Sequence, residues 1–448
     1  MTELQKLKSI MPCKVELKKV NLLYEFRDYY FQNHGPEKAC EKEEAINKKM
    51  LEIVKAIEEL KDSVPPSNRG EYLYLKGRAL NIGSEYNKEA EEHLGKATKF
   101  NLPPAWNELG ECLYKKGELL GAKTCFQKAL NLEKQAVYLR NMSMLMRSLP
   151  TESQTEKEEN NSKNSQKGLE YAREALKLNF KDGHSWLVLG NSYLTLFFSV
   201  EAKQEHLKNA KSAYIKAEED SATCYLPELH FSKFQIEWYE EDYEDALKSL
   251  QRATELEPTW DEPRVKLEEC KKFLSRLCQF VESRGQLTQR KLNSLMKGIS
   301  DNCLGPYEKG GTSLTGGMKP ILVPLKLLAE GSNENKNFFS QSYLQIVLGR
   351  VVCTVVPDSG LPFAFCMVDR DGTCRAVTVY NWANNYGVKI GDAVAIVAPI
   401  LKRHKLQCEK IDEFYSLRVA LPLMLVINKR PVTTNQISTS RVVSCKKD

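Results

Sequence analysis

PPAWNELGECLYKKGELLGAKTCFQKALNLEK, residues 103–134, is the stretch whose reading decides the fold. It carries Trp106, Leu109, Gly110, Leu113, Gly117, Ala122, Phe126 and Ala129 at helical spacing. Small residues at Gly110, Ala122 and Ala129 let two antiparallel helices approach closely, while Trp106, Leu109 and Phe126 fill the space between them. One such hairpin cannot bury its own apolar face, so it must stack on copies of itself.

The offsets are those of a tetratricopeptide repeat, a unit of about 34 residues. More worn copies surround it. Residues 70–102 carry Gly77, Ala90, Leu94 and Ala97; residues 136–180 carry Leu139, Met142, Ser143, Met146, Ala172 and Ala175. Residues 183–220 carry Trp186, Leu189, Gly190, Tyr193, Ala210, Tyr214 and Ala217; residues 227–260 carry Ala246, Leu250, Ala253 and Pro258. TESQTEKEENNSKNSQ, 151–166, is polar throughout and is expected to be a disordered insertion. A helix at 261–283 is expected to cap the array. Residues 1–66 read as an N-terminal helical hairpin, punctuated by HGPE at 34–37 and VPPS at 64–67. The array with its cap then covers 67–300.

After residue 300 the composition changes. Residues 301–318 read as a Gly-rich linker. From 319 to 430 come short β-rich runs: KPILVPLKLL, YLQIVLGRVVCTVV, PFAFCMVDRDGTCRAVTVYN, DAVAIVAPIL and SLRVALPLMLVI. The turn DRDG, 369–372, joins two strands. The fold class is therefore multidomain α + β, an N-terminal α-solenoid followed by a small OB-fold-like β-barrel, with a sandwich as the alternative and a tail at 431–448.

The bulk numbers exclude some classes. No run of 18 apolar residues exists to span a membrane, and the lysine-rich start is not a secretory signal pattern. Thirteen cysteines without a C-x-x-C pair read as reduced thiols of a cytoplasmic or nuclear protein. With six histidines and none at ligand spacing, no metal or cofactor is expected. GPYEKGGT, 305–312, has phosphate-loop spacing, but Gly311 stands where the lysine must be. No nucleophile elbow, zinc helix or dinucleotide fingerprint occurs, so no enzyme is expected.

The first helix of each hairpin lines a groove, at repeat positions 2, 5, 9 and 12. Counting from each unit's own start puts Asn107, Glu111, Arg140, Arg147, Asn191, Glu228 and Glu262 there. Separated charges of opposite sign suit a short peptide with the reverse order. Arg147 can pair with a ligand carboxylate, and Glu228 and Glu262 can clamp a ligand arginine. Asn107 and Asn191 can bond ligand backbone, or instead form interhelix bonds; each charge can equally be an ordinary solvated residue.

NLLYEFRDYYFQNH, GRALNIGSEYNKEAEEHLGKATK, NMSMLMR, GNSYLTLFFS, PTWDEPR and YNWANNYGVKIGDAVAI together resemble the tetratricopeptide repeat protein five (Strap) family, from about residue 21 to 430. The resemblance implies an adaptor in tubulin autoregulation. Such an adaptor binds the ribosome near its exit tunnel, reads the Met-Arg-Glu start of nascent tubulin, and recruits a deadenylase complex through SCAPER to trigger mRNA decay. The alternative it implies is nuclear, a p300 and JMY cofactor scaffold in the p53 stress response whose barrel contacts DNA or chromatin. On this resemblance Arg147 pairs with the nascent glutamate, Glu262 and Glu228 hold the nascent arginine, and Lys96 and Lys99 face ribosomal RNA. Glu228 stands where the family has aspartate. Residues 319–448 hold 17 basic and 10 acidic side chains, with Phe363, Phe365, Tyr380, Trp382 and Tyr386 as stacking candidates.

Overall fold

A computed structural model describes residues 12–149, 157–308, 319–331, 333, 343–355, 362–383, 386–408 and 411–437. They form two compact units. The first holds the chain up to Ile236 with Ser249–Pro263; the second holds Glu237–Lys248 and the chain from Arg264 onward.

Three N-terminal helices open the first unit: α1 (Pro12–Asp28), α2 (Tyr30–Asn33) and α3 (Ala39–Glu58). Helical hairpins follow as α4 (Arg69–Leu80) with α5 (Lys88–Ala97), α6 (Pro103–Lys115) with α7 (Leu119–Leu132), α8 (Ala136–Ser148) with α9 (Lys157–Leu178), and α10 (Gly183–Ser199) with α11 (Gln204–Glu218). A further hairpin, α12 (Pro227–Glu240) with α13 (Tyr243–Leu256), and the long α14 (Asp261–Glu282) have residues in both units.

The 103–134 stretch folds as its spacing predicts. Pro103 begins α6, where its missing N–H costs nothing. Gly117, at φ +85°, turns the chain into α7. A β-carbon on Gly110 would stand 2.5 Å from a ring carbon of Phe126, so this close approach of α6 and α7 requires glycine. The α8–α9 pair solves the same problem in reverse. Ser143 occupies the glycine-like position on α8, and room is made on α9 by Gly168, whose carbonyl accepts the Ser143 hydroxyl at 2.7 Å.

Four boundaries differ from expectation. Residues 151–156 of the expected disordered insertion lie outside the described residues, but 157–166 are the start of α9. KEENNSKNSQ contains neither proline nor glycine, and extending a packed helix adds one bond per residue fixed. The expected capping helix is α14, yet from Arg264 it belongs to the second unit, as does α15 (Gln289–Lys297). In the expected linker, Asp301–Tyr307 form a 3-10 turn, with Cys303 and Leu304 in one apolar cluster with Leu344, Ile346 and Val426. Gly305, at φ +59°, serves this packing rather than flexibility; residues 309–318 lie outside the described residues. In the expected tail, Val432 is buried and Thr434–Gln436 form a capped 3-10 turn.

The second unit carries a sheet of β1 (Lys319–Leu322), β2 (Tyr343–Val355), β3 (Phe363–Val368), β4 (Cys374–Val379), β5 (Ala393–Val397), β6 (Ile400–Cys408), β7 (Ile411–Val419), β8 (Leu425–Ile427) and β9 (Arg430–Pro431). Strand β2 pairs antiparallel with β3 and β5, β3 with β4, and β6 with β7, while β4 pairs parallel with β7. Ala398, at φ +47°, and Pro399 form the corner between β5 and β6, which closes the circuit as an OB-type barrel. Val347, Val351, Phe365, Met367, Val377, Ile396 and Leu417 fill it. The first β-rich run supplies only β1, parallel to β2 and outside this circuit. Strand β6 and the start of β7 were not legible as strands, because Lys402, Arg403, Lys405 and Glu413 mask their alternation.

The outer face of the barrel is covered from within the same unit. Ala364, Cys366 and Val368 of β3 and Cys374, Ala376 and Thr378 of β4 are all buried. The 3-10 turn Arg284–Gln286 lies against β2 and β3. Glu241, with a fully buried side chain in the turn between α12 and α13, accepts the Thr378 hydroxyl and lies 3.4 Å from the Arg418 guanidinium. Arg418 in turn sits 4.1 Å over the Tyr380 ring and 4.9 Å over that of Tyr239. Removing one partner of a buried pair leaves an uncompensated charge, so Glu241→Ala is expected to destabilise the second unit by about 3 kcal/mol or more. Urea unfolding of the full chain, followed by barrel tryptophan fluorescence, checks this.

Candidate peptide groove

The first helices of successive hairpins bring the groove stripe together, but much of it is already bonded. Asn107 is buried; its amide donates to Glu111 at 2.8 Å and its oxygen accepts from Asn141 at 3.0 Å. Asn191 accepts the Tyr214 hydroxyl at 2.7 Å, from the second helix of its own hairpin. Of the two roles open to these amides, the structure displays interhelix bonding: both oxygens and the Asn107 nitrogen are engaged. Arg140, also on the stripe, pairs with Asp182 at 2.9 Å, and Asp182 caps the start of α10.

Arg147 is different. It follows Arg140 by two helical turns and Ser143 by one, so it stands at the edge of the stripe that borders α9 and α10. Ser143 bonds Gly168 and lies 3.2 Å from Ser192, which marks that border. The Arg147 stem passes Gly168, where a β-carbon would come within 3.7 Å of its Cγ. The side chain is half-buried, and its buried Nε has no hydrogen-bond partner among the described residues. Its electrostatic neighbours are the phenols of Tyr114 and Tyr214 rather than carboxylates, and burial pushes its pKa below the ordinary arginine value. A guanidinium placed this way favours any anion that reaches it.

Glu228 and Glu262 lie in the first turns of α12 and α14, both half-buried. Lys96 and Lys99 are exposed, at the end of α5 and in the turn that follows it.

Sequence reasoning missed a second cluster, centred on Glu108. It is buried, takes a hydrogen bond from Asn81 at 3.2 Å and one from the Tyr24 hydroxyl at 3.4 Å, and lies 3.6 Å from Arg78. Burial, reinforced by the neighbouring Glu111, raises its pKa to about 7. Tyr24 comes from α1, so the signal lay in a long-range contact that repeat spacing does not encode. A carboxyl whose folded pKa exceeds its unfolded value binds its proton more tightly when folded. Stability from this group is therefore full below about pH 4 and is lost as pH rises through about 7, by on the order of 3 kcal/mol. Thermal melts of the full chain between these limits should show that fall, and Glu108→Gln should remove it.

Comparison with known proteins agrees with this architecture. The family model for the tetratricopeptide repeat protein 5 OB fold domain matches residues 321–441, and a tetratricopeptide repeat model matches 103–136. Tetratricopeptide repeat protein 5 of Homo sapiens is 37% identical over 431 residues, covering 95% of this chain and 94% of its own length. The proteins of the same name from Bos taurus and Mus musculus match with the same identity and coverage. Identity of 37% over 95% of the chain, spanning the repeat array and the barrel alike, places the chain in the tetratricopeptide repeat protein 5 family.

Proposed function

We propose that this chain is a non-enzymatic adaptor whose groove reads the N-terminal Met-Arg-Glu segment of nascent tubulin at the ribosome and thereby triggers tubulin mRNA decay. The observation that carries the reading is Arg147. Among the described residues, its half-buried guanidinium has phenols for electrostatic neighbours and its buried Nε has no hydrogen-bond partner. A nascent-chain glutamate supplies the missing carboxylate. Glu228 and Glu262, half-buried at the starts of later first helices, supply negative charge for the arginine that precedes it. Family membership supports an adaptor in general, and the resemblance adds SCAPER and its deadenylase complex as the downstream partners.

The nuclear reading, a p300 and JMY scaffold that contacts chromatin through its barrel, draws less support. An OB-fold binds oligonucleotides on the face of its second and third strands. Here those strands are β3 and β4, and their outer residues are buried. Of the stacking candidates, Phe365, Tyr380 and Trp382 are buried and Phe363 packs edge-on to Trp382 at 5.2 Å, which leaves Tyr386 exposed.

Two experiments test the proposal. Loss of one charge-assisted bond is expected to weaken Met-Arg-Glu peptide binding by Arg147→Ala roughly tenfold or more, measured by calorimetry; unchanged affinity removes the groove reading. Lys96→Glu with Lys99→Glu is expected to reduce co-sedimentation with tubulin-translating ribosomes, and unchanged sedimentation removes the ribosome-facing role of that edge.

A further inference from the structure

Strand β6 bonds β7 along one edge and stands at the end of the sheet order. Its other edge begins covered. Gly331 donates to the Leu401 carbonyl at 3.0 Å, and Glu330 forms a parallel bridge with Leu401. The chain then turns back toward the β5–β6 corner, where the Asn333 amide donates to the Pro399 carbonyl at 2.8 Å. Successive residues of an antiparallel strand direct their backbone groups to alternate sides. Leu401 directs its carbonyl away from β7, so Arg403 and Lys405 direct theirs the same way. Among the described residues, nothing bonds the outward N–H and C=O groups of these two. An edge of this kind is a template for a further strand.

The edge opens on a cavity of about 370 Å³, lined by residues 241–245, Glu330 and residues 403–406, all within the second unit. The Tyr243 ring lies 4.7 Å from that of His404, so the start of α13 covers the face of β6 and leaves its edge. Five carboxylates and two cations line the cavity. Glu241 lies 3.4 Å from Arg418, and Arg403 pairs with Glu413 at 2.7 Å. Glu244 and Asp245 share Lys248 in exposed pairs, which are worth little in water. The lining is therefore negative on balance.

We propose that the outer edge of β6, at Arg403 and Lys405, takes up an extended basic segment of a partner protein as an added strand. Main-chain bonds to these two residues supply affinity, and alternate lysine or arginine side chains, which a strand places on one face, meet the acidic wall and supply selectivity. The bridge to Glu330 is an intramolecular precedent for a strand on this edge. The exposed side chains of Arg403 and Lys405 oppose pairing of the edge with a second copy of itself. This surface is independent of the groove and gives the chain a further attachment point.

The probes are a peptide alternating valine and lysine, its valine–glutamate counterpart, and a copy of the first N-methylated at every residue, each titrated into the full-length chain by calorimetry. The valine–lysine peptide should bind about tenfold or more tightly than either control. Lys405→Pro removes one outward N–H and leaves the ladder to β7, and it should weaken that binding by a similar factor, with circular dichroism verifying the fold. In wild type, the same peptide should slow hydrogen exchange at residues 402–406, a readout that needs no variant. Absence of binding overturns the proposal. So does binding that N-methylation and Lys405→Pro leave unchanged, because the contact is then electrostatic alone. Exchange at 402–406 already slow in the free chain assigns the edge to a segment of the chain itself, and a dimer that Lys405→Pro dissolves in sedimentation assigns it to a second copy; either result overturns the proposal.

Discussion

Helix pairs that meet where no β-carbon fits set the terms for the rest of the first unit. Gly110 against Phe126 brings α6 and α7 together so closely that each helix hides only one stripe from water. The remaining apolar stripes have to be covered by the next pair. Stacking then aligns the first helices, and the aligned helices create one continuous polar stripe. The Asn107–Asn141 contact at 3.0 Å runs from one hairpin to the next, and Arg140 reaches Asp182 at the start of a third. The groove is a by-product of close packing, and its side chains are held by neighbours that the same packing supplies.

That dependence explains what could be read in advance. Repeat offsets encode which residues must be small and which must be apolar, so the hairpins and the stripe were legible from Gly110, Ala122 and Phe126. The barrel was legible wherever strands form continuous apolar, β-branched runs, as in β2 to β5. It was not legible in β6, where solvent-facing lysine and arginine suit an edge but mimic a loop in sequence. Within the site, spacing assigned positions and could not assign partners. Asn107 and Arg140 occupy comparable places to Arg147, yet only the fold reveals that Glu111, Asn141 and Asp182 already bond them. Tyr24 on Glu108 depends on a helix 84 residues away in sequence, a distance that repeat spacing does not encode.

Electrostatics divides the groove residues into those paired within the array and those set among neutral groups. Arg140 and Asp182 satisfy one another, with Asp182 held below the usual carboxylate range in part by that arginine. Burial destabilises Arg147 as a cation, and among the described residues the groups that act on it are the phenols of Tyr114 and Tyr214. Structural charges settle into pairs because an uncompensated buried charge costs several kcal/mol.

The barrel gives the complementary case. OB-folds that take nucleic acid keep their second and third strands open, with aromatic platforms and a basic groove. In this chain the same strand faces are built from alanine, cysteine and threonine, which are too small to stack a base and well suited to close packing. A positive φ of +64° lets Glu241 turn its carboxylate into this face, where Thr378 and Arg418 receive it. Such a backbone conformation is costly for a residue other than glycine, and it is retained where the surrounding contacts determine it. The face is therefore anchored from within the unit, its small side chains packed rather than presented to solvent.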